Sequence, residues 1–519
     1  MVPDGALSAD SLATAYEWFK ECAESHSECR SPRKSKFPTR IINVGVEGDE
    51  VRLLLSEGTR GDYATLSHCW GDYSPLTTTQ STISQRVKCI PFETLPKTFQ
   101  HSVVVTRRLG IRYLWIDSLC IIQDSPEDWK EESAKMQDVY AGAIINISAD
   151  AAANSSVGLS LGKGLGGGQQ VGKADGLFCR PISTGTDSSG LSHTPRHAEF
   201  QHILSTRAWV LQERILSPRI LHFSTFEMTW ECHTNIRCEC TVQPRKVEGA
   251  RFWESLSQEV QETFDSRLWT KLVLKYSALR LTRRSDKLNA IAGLAARAAM
   301  CWSTSYIAGL WREELPICLL WRVTKKTRNA RSADFPSWSW TSVDGTIQCF
   351  TQASLEATLV GSVPRLVTVT GIMYDCGTEE PYGTPLEANV YLKGQIAQVT
   401  LGTDSRSISL ETDGLTEDLA QSSELYLDCV NENSAGAQQY HFLVIVAESV
   451  DRKRKLCCLI LQLSETTFSN SWGAYRRVGI FLCREAYEHA YRLPKIQAKP
   501  GAGYRSLRSK FREEHVVLV

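Results

Sequence analysis

Polar and thiol side chains follow two short apolar runs of the sequence, and each run predicts a β-strand. The first run is 63–67 and the second is 111–116. In an open parallel sheet, ligands bind outside the carboxyl ends of the strands, so the residues at these two ends are candidate ligand-binding residues. They are Ser67, His68, Cys69, Trp70, Asp117 and Ser118.

Some of these candidates have alternative roles. His68 beside Cys69 suggests a thiol nucleophile with its base, but adjacent residues on an extended strand point to opposite faces, so the pair makes a poor dyad. The flat indole of Trp70 can stack on a nicotinamide or adenine ring. Asp117 either contacts a ligand or caps the turn at Ser118, and both interpretations stay open.

Helices separate the predicted strands of this segment. Pro96 suits the first turn of a helix that Gly110 ends, and a second helix over 126–141 precedes an apolar strand at 144–149. The order strand, helix, strand, helix, strand over 63–149 is typical of a parallel sheet with right-handed crossovers, so we predict an α/β fold. We also predict an amphipathic helix over 9–26 and a hairpin over 41–55.

The rest of the chain divides by composition. The run 162–168 resembles a phosphate-binding loop in its glycines, but it lacks a strand before it and a helix after it, so a flexible insertion is the better interpretation. The predicted organisation begins with a helix and hairpin segment at 1–55. A domain at 56–235 follows, with core blocks 63–150 and 205–225 and a Gly/Ser-rich insertion at 155–195. Beyond it we predict a helical extension at 250–345, a β-rich region at 364–484 that forms a sandwich or small barrel, and a tail at 485–519.

Composition limits the classes of function. The chain has 519 residues, and 58 Lys plus Arg balance 58 Asp plus Glu, which argues against a nucleic-acid-binding surface over the whole chain. No apolar run approaches the ~18 residues of a membrane span, and the first residues lack the charged-then-apolar layout of a secretory signal. The 17 Cys are too sparse for a disulfide scaffold, so we expect reduced thiols in a cytoplasmic protein.

Two groups of Cys and His residues have spacings that bear on metal binding. The first is Cys22, His26 and Cys29, and the second is Cys232, His233, Cys238 and Cys240. Cys22 and His26 lie one helical turn apart, which is compatible with part of a zinc site. Neither group alone makes a four-ligand site with standard spacing, so we predict buried or surface thiols and no metal.

Three blocks resemble the heterokaryon incompatibility (HET) family of fungal proteins. They are YATLSHCWG at 63–71, LPKTF at 95–99 continuing to LWIDSLCIIQD at 114–124, and RAWVLQER at 207–214. The resemblance implies a role in fungal non-self recognition and programmed cell death. It also implies self-association or binding to another incompatibility or signalling protein.

The order of elements over 63–149 is more distantly similar to the opening of a TIR domain, which implies a flavodoxin-like parallel sheet. Trp209 and Glu213 match the Trp-x-x-x-Glu spacing that TIR domains carry on the helix after their third strand. In enzymatic TIR domains the matching Glu is needed to cleave NAD. The resemblance therefore implies that Glu213 is a catalytic carboxylate, with NAD as substrate and no resident cofactor. Trp209 is either a ligand contact or a core anchor.

The chemistry of NAD cleavage suits these residue types. Breaking the glycosidic bond develops positive charge on the ribose, which a carboxylate such as Glu213 stabilises, while Arg207 and Arg214 are candidates to hold pyrophosphate oxygens. A structural alternative pairs Glu213 with Arg107 or Arg214 on a helix face. The alternative functions are a non-catalytic signalling or assembly module, and a regulatory protein whose HET domain has lost activity.

Overall fold

A computed structural model describes most of the chain. The described residues are 7–29, 34–71, 75–159, 169–170, 178–179, 203–224, 228–239, 245–246, 266–326, 331–351, 354–355, 366–377, 382–401, 408–412, 415–418, 423–429, 438–450, 453–465, 472–487 and 512–519. Contacts divide the chain into an N-terminal unit, 1–259 with 290–294, and a C-terminal unit, 260–289 with 295–519. Within the described part, no helix combines the length and the apolar character needed to cross a membrane.

The N-terminal unit is an α/β structure. Its helices are α1 Ala9–Ser25, α2 Ile83–Lys88, α3 Lys97–Arg108, α4 Asp117–Cys120, α5 Pro126–Gly142 and α6 Ala208–Leu216. Its main strands are β1 Arg40–Asn43, β2 Arg52–Leu55, β3 Ala64–Ser67, β4 Tyr113–Trp115, β5 Ile145–Ser148, β6 Arg219–Phe223, β7 Met228–Cys232, β8 Asn235–Cys238 and β9 Arg245–Lys246. Two further pairs of two-residue strands join Ser35–Lys36 to Arg60–Gly61 and Gln169–Gln170 to Phe178–Cys179.

The nine main strands form one mixed sheet in the order β9-β8-β7-β6-β5-β3-β4-β1-β2. The four central strands, β6-β5-β3-β4, run parallel. The flanking strands pair antiparallel. Short connections such as 233–234 return the chain beside the strand it has just left, whereas β1 pairs with the distant β4. The predicted parallel sheet is therefore confirmed at the centre and corrected at the β7–β9 flank, which is antiparallel. The predicted α1 and the hairpin β1–β2 are confirmed.

Local sequence explains where the central helices and strands begin and end. Ser125 caps α5 by accepting a hydrogen bond from the backbone N–H of Asp128 at 3.2 Å, and Pro126 occupies the first turn. Every residue of β3 and β5 is buried, as expected for parallel strands covered on both faces. The carboxyl ends of these two strands are therefore held in a packed centre.

The C-terminal unit begins with helices and continues as a β-rich structure. The helices are α7 Ser266–Ser277 and α8 Asn289–Trp302, of which residues 290–294 belong to the N-terminal unit. The strands are β10 Trp321–Lys326, β11 Gly345–Cys349, β12 Thr368–Asp375, β13 Glu387–Leu401, β14 Ile408–Thr412, β15 Leu415–Asp418, β16 Ser423–Leu427, β17 Gln438–Val450, β18 Lys453–Leu463, β19 Gly473–Tyr487 and β20 Arg512–Leu518. The predicted helical extension contains these two helices, and its first part, 250–265, lies outside the described residues. Beyond Trp302 it continues as single helical turns and short paired strands, as β10 pairs with β11.

Five strands of this unit close into a ring. β13 pairs with β17, β17 with β18, β18 with β19, β19 with β20, and β20 returns to β13. Of the two architectures predicted for 364–484, the small barrel is the one that forms. The segment predicted as a tail contributes β20, since its apolar end at 516–518 is buried in the barrel wall.

Candidate functional site

Side chains from the carboxyl ends of the central strands and from α6 form a polar cluster. The hydroxyl of Ser67, the last residue of β3, donates a hydrogen bond to the carboxylate of Glu213 on α6. The side-chain amide of Asn146 donates to the Ser67 oxygen at 3.0 Å, and its own oxygen accepts from Thr65 at 3.1 Å. Tyr140 of α5 also donates to Glu213. The structure thus joins two residues predicted from sequence, Ser67 and Glu213, to partners that sequence reasoning missed.

The cluster places Glu213 in an environment that favours its neutral form. The residue is only 7% exposed, and burial raises the pKa of its carboxyl from 4.5 to about 7. Asp117 adds to the increase by repulsion, whereas the hydrogen bond from Ser67 and the charge of Arg207 oppose it. Glu213 is consequently a carboxyl group that exchanges a proton near neutral pH, which is the property required of a general acid or base.

Asp117 is held by its own neighbours at the end of β4. Its Oδ1 accepts a hydrogen bond from the backbone N–H of Ser118 at 2.7 Å, and its Oδ2 accepts from Nε1 of Trp70 at 3.0 Å. Nδ1 of His68 lies 3.7 Å from Oδ1. Asp117 therefore caps the turn at Ser118 and also engages the indole N–H of Trp70, while ligand contact by Asp117 stays a prediction.

His68 and Cys69 have different neighbours. The His68 ring meets Phe99 edge-on at 5.0 Å, and burial lowers the pKa of His68, so its neutral form is favoured. Cys69 packs in a small apolar cluster with Leu204 and Val210, and burial raises the pKa of its thiol. The two side chains thus pack against different neighbours, in agreement with the expectation that they make a poor dyad.

The other predicted residues at and near α6, Arg207, Trp209 and Arg214, each contact different partners. Nη1 of Arg207 is 3.5 Å from the backbone oxygen of His68, and the ring of Trp209 meets Trp129 of α5 edge-on at 6.5 Å. Arg214 forms an ion pair with Glu231, with Nη2 at 2.8 Å and Nε at 2.9 Å from the same oxygen.

The predicted pairing of Glu213 with Arg107 or Arg214 does not form. Arg107 donates instead to the backbone oxygens of Val44 and Asp49, at 2.8 and 2.7 Å. Both guanidinium groups are held by other acceptors, and among the described residues Glu213 interacts with the hydroxyls of Ser67 and Tyr140 and with the charge of Arg207.

A second polar network lies beside the first and was not predicted. Nδ1 of His222 is 2.9 Å from Asp150, and its Nε2 is 3.0 Å from Glu231, the partner of Arg214. Burial alone would lower the pKa of His222, but the two carboxylates outweigh it and raise this pKa to about 9. Asp150 follows the end of β5, and His222 meets Glu231 because β6 pairs with β7.

A pocket opens between these networks at the carboxyl ends of β3, β5 and β6. Its lining includes Ser67, Asn146, Ser148, Asp150, Arg214 and His222. Ser67 therefore connects the pocket to Glu213, which is hydrogen-bonded directly behind it.

The structure also merges the two cysteine groups that the sequence presents separately. Cys22, His26 and Cys29 meet Cys232, and the four ligand atoms lie within 4.8 Å of one another. His233 is turned to the backbone oxygen of Glu28, at 3.3 Å from Nδ1. Cys240 lies outside the described residues. The hairpin β7–β8 brings Cys232 to the end of α1, so one residue of the second group completes a set of four with the first group.

One comparison with known proteins identifies a domain. Residues 63–213 match the family model described as heterokaryon incompatibility protein (HET). The match runs from the residue before β3 to Glu213, so it covers β3, β4, β5 and the part of α6 that contributes to the polar cluster, and it ends before β6. The chain therefore carries a HET domain, as its sequence blocks indicated. No curated protein and no solved structure matches the chain.

Proposed function

We propose that this protein acts in fungal heterokaryon incompatibility as a cell-death effector, and that its HET domain cleaves the nicotinamide–ribose bond of NAD. The observation that carries the proposal is Glu213: a buried carboxyl with a pKa of about 7, bound to Ser67 at the end of a central parallel strand. A carboxylate in such a place stabilises positive charge that develops on a ribose.

The strand order supports a TIR-like arrangement. Numbered along the chain, the parallel strands lie in the order second, first, third, fourth, which is the order in flavodoxin-like sheets. In such sheets ligands bind where the first and third strands diverge. Here those strands are β3 and β5, whose ends carry Ser67 and Ser148 in the pocket lining.

The proposed step is a hydrolysis. The bond between the ribose C1′ and the nicotinamide nitrogen breaks, and its electron pair leaves with nicotinamide. A water oxygen then bonds to C1′ and releases a proton, which gives ADP-ribose. Ionised Glu213 accepts a hydrogen bond from a ribose hydroxyl and stabilises the cationic sugar. Arg207, whose charge already acts on Glu213, is the candidate for the pyrophosphate.

Another observation favours a second candidate, the non-catalytic assembly module. Glu213 is 7% exposed and accepts hydrogen bonds from both Ser67 and Tyr140. A buried polar group satisfied by its own protein is also what a rigid core requires. In this case the HET domain works through its surface, by self-association or by binding another incompatibility or signalling protein.

Nicotinamide release by the purified full chain separates the two candidates. The protein is incubated with NAD over a wide range of protein concentrations, so that any self-association is included, beside Glu213→Gln and Glu132→Gln. Glu132 is a matched control, because it is a buried glutamate of α5 that accepts from Thr39 at 2.7 Å. If the domain is an enzyme, the wild type and Glu132→Gln should both release nicotinamide, and the rate of release should fall at least ~100-fold in Glu213→Gln.

Equal release by Glu213→Gln and the wild type would contradict the catalytic role of this residue. If folded wild-type protein releases no nicotinamide at any concentration, NAD cleavage is rejected. The assembly module then becomes the better explanation, and its own test is concentration-dependent growth in particle size that Glu213→Gln leaves unchanged.

A further inference from the structure

Three thiols and one imidazole of the N-terminal unit converge on one point. Cys22 lies in the last part of α1, and His26 caps that helix, with its backbone N–H 3.3 Å from the oxygen of Cys22. Cys29 ends the following helical turn, and Cys232 ends β7. The three cysteines are 1–4% exposed, so their sulfurs face one another rather than solvent.

We propose that Cys22, His26, Cys29 and Cys232 bind one zinc ion as a structural site. Three thiolates and one imidazole are a standard ligand set for tetrahedral structural zinc. Zn–S bonds of about 2.3 Å and Zn–N bonds of about 2.05 Å require S–N edges of about 3.6 Å and S–S edges of about 3.8 Å. Nδ1 of His26 is 3.5 Å from the sulfur of Cys232, which matches an S–N edge.

The whole group has the size that a tetrahedron needs. All ligand atoms lie within 4.8 Å of one another, so no edge exceeds the S–S value by more than about 1 Å. Among the described residues these cysteines are free thiols. A disulfide would use two of the three sulfurs and leave one thiol buried, whereas zinc engages all three together with the imidazole.

The surrounding donors suit a zinc–thiolate centre. Zinc with three thiolates and a neutral imidazole carries one net negative charge, and the guanidinium of Arg219 neutralises it, with Nε 3.2 Å from the sulfur of Cys22. The backbone N–H of Asn235 is 3.4 Å from the sulfur of Cys232, and the Thr234 hydroxyl is 3.5 Å from that of Cys29. Such second contacts hold metal ligands in position.

The imidazole of His26 also has a partner that orients it. The side-chain amide of Asn235 lies 3.5 Å from Nε2, on the nitrogen opposite the one that faces Cys232. Contact at Nε2 leaves Nδ1 as the metal ligand. Zinc at this point would fasten the end of α1 to the hairpin β7–β8, and the same hairpin carries Glu231 of the pocket network.

Metal content of the purified full chain tests the proposal. The protein is made with added zinc, kept reduced, passed through buffer with a weak chelator and analysed by mass spectrometry of the elements. We expect about one zinc per chain in the wild type and less than about a tenth of this in Cys22→Ser and Cys232→Ser. Cys120→Ser is the matched control, a buried cysteine of the same unit outside the cluster, and it keeps the metal.

A cobalt titration keeps the test decisive even if the serine variants do not fold. Zinc-free wild type should take up one Co²⁺ with the visible bands of a tetrahedral site and thiolate-to-cobalt charge transfer. His26→Cys should retain the metal with stronger charge transfer, because a fourth thiolate replaces the imidazole. Wild-type protein that is folded, contains no zinc and shows no such cobalt bands would overturn the proposal, as would full zinc content in Cys232→Ser.

Discussion

The hydroxyl of Ser67 donates its hydrogen bond to the carboxylate of Glu213, and this contact joins the end of β3 to α6 across 146 positions of sequence. Asn146 of the neighbouring strand donates to the same hydroxyl at 3.0 Å, and its own oxygen lies 3.3 Å from it, so Glu213 is the nearer acceptor for the Ser67 proton. The contact stabilises the ionised carboxylate, while burial favours the neutral acid. The balance of these two effects puts the pKa at about 7.

Replacing Glu213 by Gln should change how stability depends on pH. The folded pKa of about 7 lies above the ordinary value of 4.5, so the native state holds a proton that the unfolded chain has already lost between these values. The stabilising contribution is therefore complete below about pH 4.5 and is lost as pH rises through about 7. Glutamine does not titrate, so the stability of Glu213→Gln relative to wild type should rise by about 3 kcal/mol over this range.

Urea unfolding at a series of pH values measures that difference. Gln212→Met is the control, because Gln212 is a buried neighbour on α6 whose oxygen accepts from the backbone N–H of Gly293 at 2.8 Å and does not titrate. Its effect on the free energy of unfolding should be the same at every pH. A difference between Glu213→Gln and wild type that stays flat from about pH 4 to about pH 8 would show that Glu213 ionises normally.

Removing the Ser67 hydroxyl should raise the pKa of Glu213 further. The hydroxyl donates to the charged form, so Ser67→Ala takes away one of the groups that opposes the effect of burial. An isotope-labelled carboxyl carbon followed by NMR should titrate at a higher pH than in wild type. Ser148→Ala is the matched control, since Ser148 ends the adjacent strand and donates to Asp150 at 2.6 Å. An unchanged or lower pKa in Ser67→Ala would contradict this assignment.

The sequence is informative where structure follows from local patterns. The runs that became β3, β4 and β5 are apolar because parallel strands are buried on both faces, and Ser125 and Pro126 mark the start of α5. Ser67 and Glu213 could be chosen because each follows from a strand end or a spaced motif. The hairpin β1–β2 was also predictable, because residues 41–55 alternate weakly between apolar and polar and end in an apolar run.

The partners of these residues depend on strand register and on contacts between distant segments. Glu231 meets His222 only through the register of β6 with β7, and Cys232 meets Cys22 although 210 positions separate them. The hydrophobic pattern of the sequence does not show that these side chains meet. The closure of the barrel by β20 was missed because the residues of β20 and β13 that pair are far apart along the chain.

The buried ion pair of Arg40 should be important for the stability of the N-terminal unit. Nη2 of Arg40 contacts both carboxylate oxygens of Asp128 at 2.7 and 2.6 Å, and Nε donates to the oxygen of Cys120 at 2.6 Å. Arg40→Met leaves Asp128 without its cation, so we expect a loss of about 3–5 kcal/mol in the free energy of unfolding. Urea unfolding checks this value beside the exposed Arg52→Met, which should change stability by less than about 0.5 kcal/mol. Similar values for the two variants would argue against a role for the pair.

One carboxylate in the C-terminal unit neutralises two arginines. Oδ2 of Asp428 accepts from Arg331 at 2.8 Å and also from Arg477, whose side chain is fully buried with its guanidinium 3.4 Å from the ring centre of Trp321. Asp428→Ala leaves both cations without this anion in a desolvated place. We expect this unit to lose about 3–5 kcal/mol of stability, because an uncompensated buried charge is costly.

Limited proteolysis and urea unfolding should both detect the loss of stability in Asp428→Ala. Tryptophan fluorescence follows the urea unfolding, because the guanidinium of Arg477 stacks on Trp321 in the folded protein. The control is Asp334→Asn, an exposed aspartate whose carboxylate accepts from Ser332 at 2.9 Å, and it should stay within about 0.5 kcal/mol of wild type. Asp428→Asn keeps the shape but removes the charge, so it should lie between these two variants. If Asp428→Ala proves as stable as Asp334→Asn, the arginines are balanced by other groups and the shared carboxylate does not stabilise the unit.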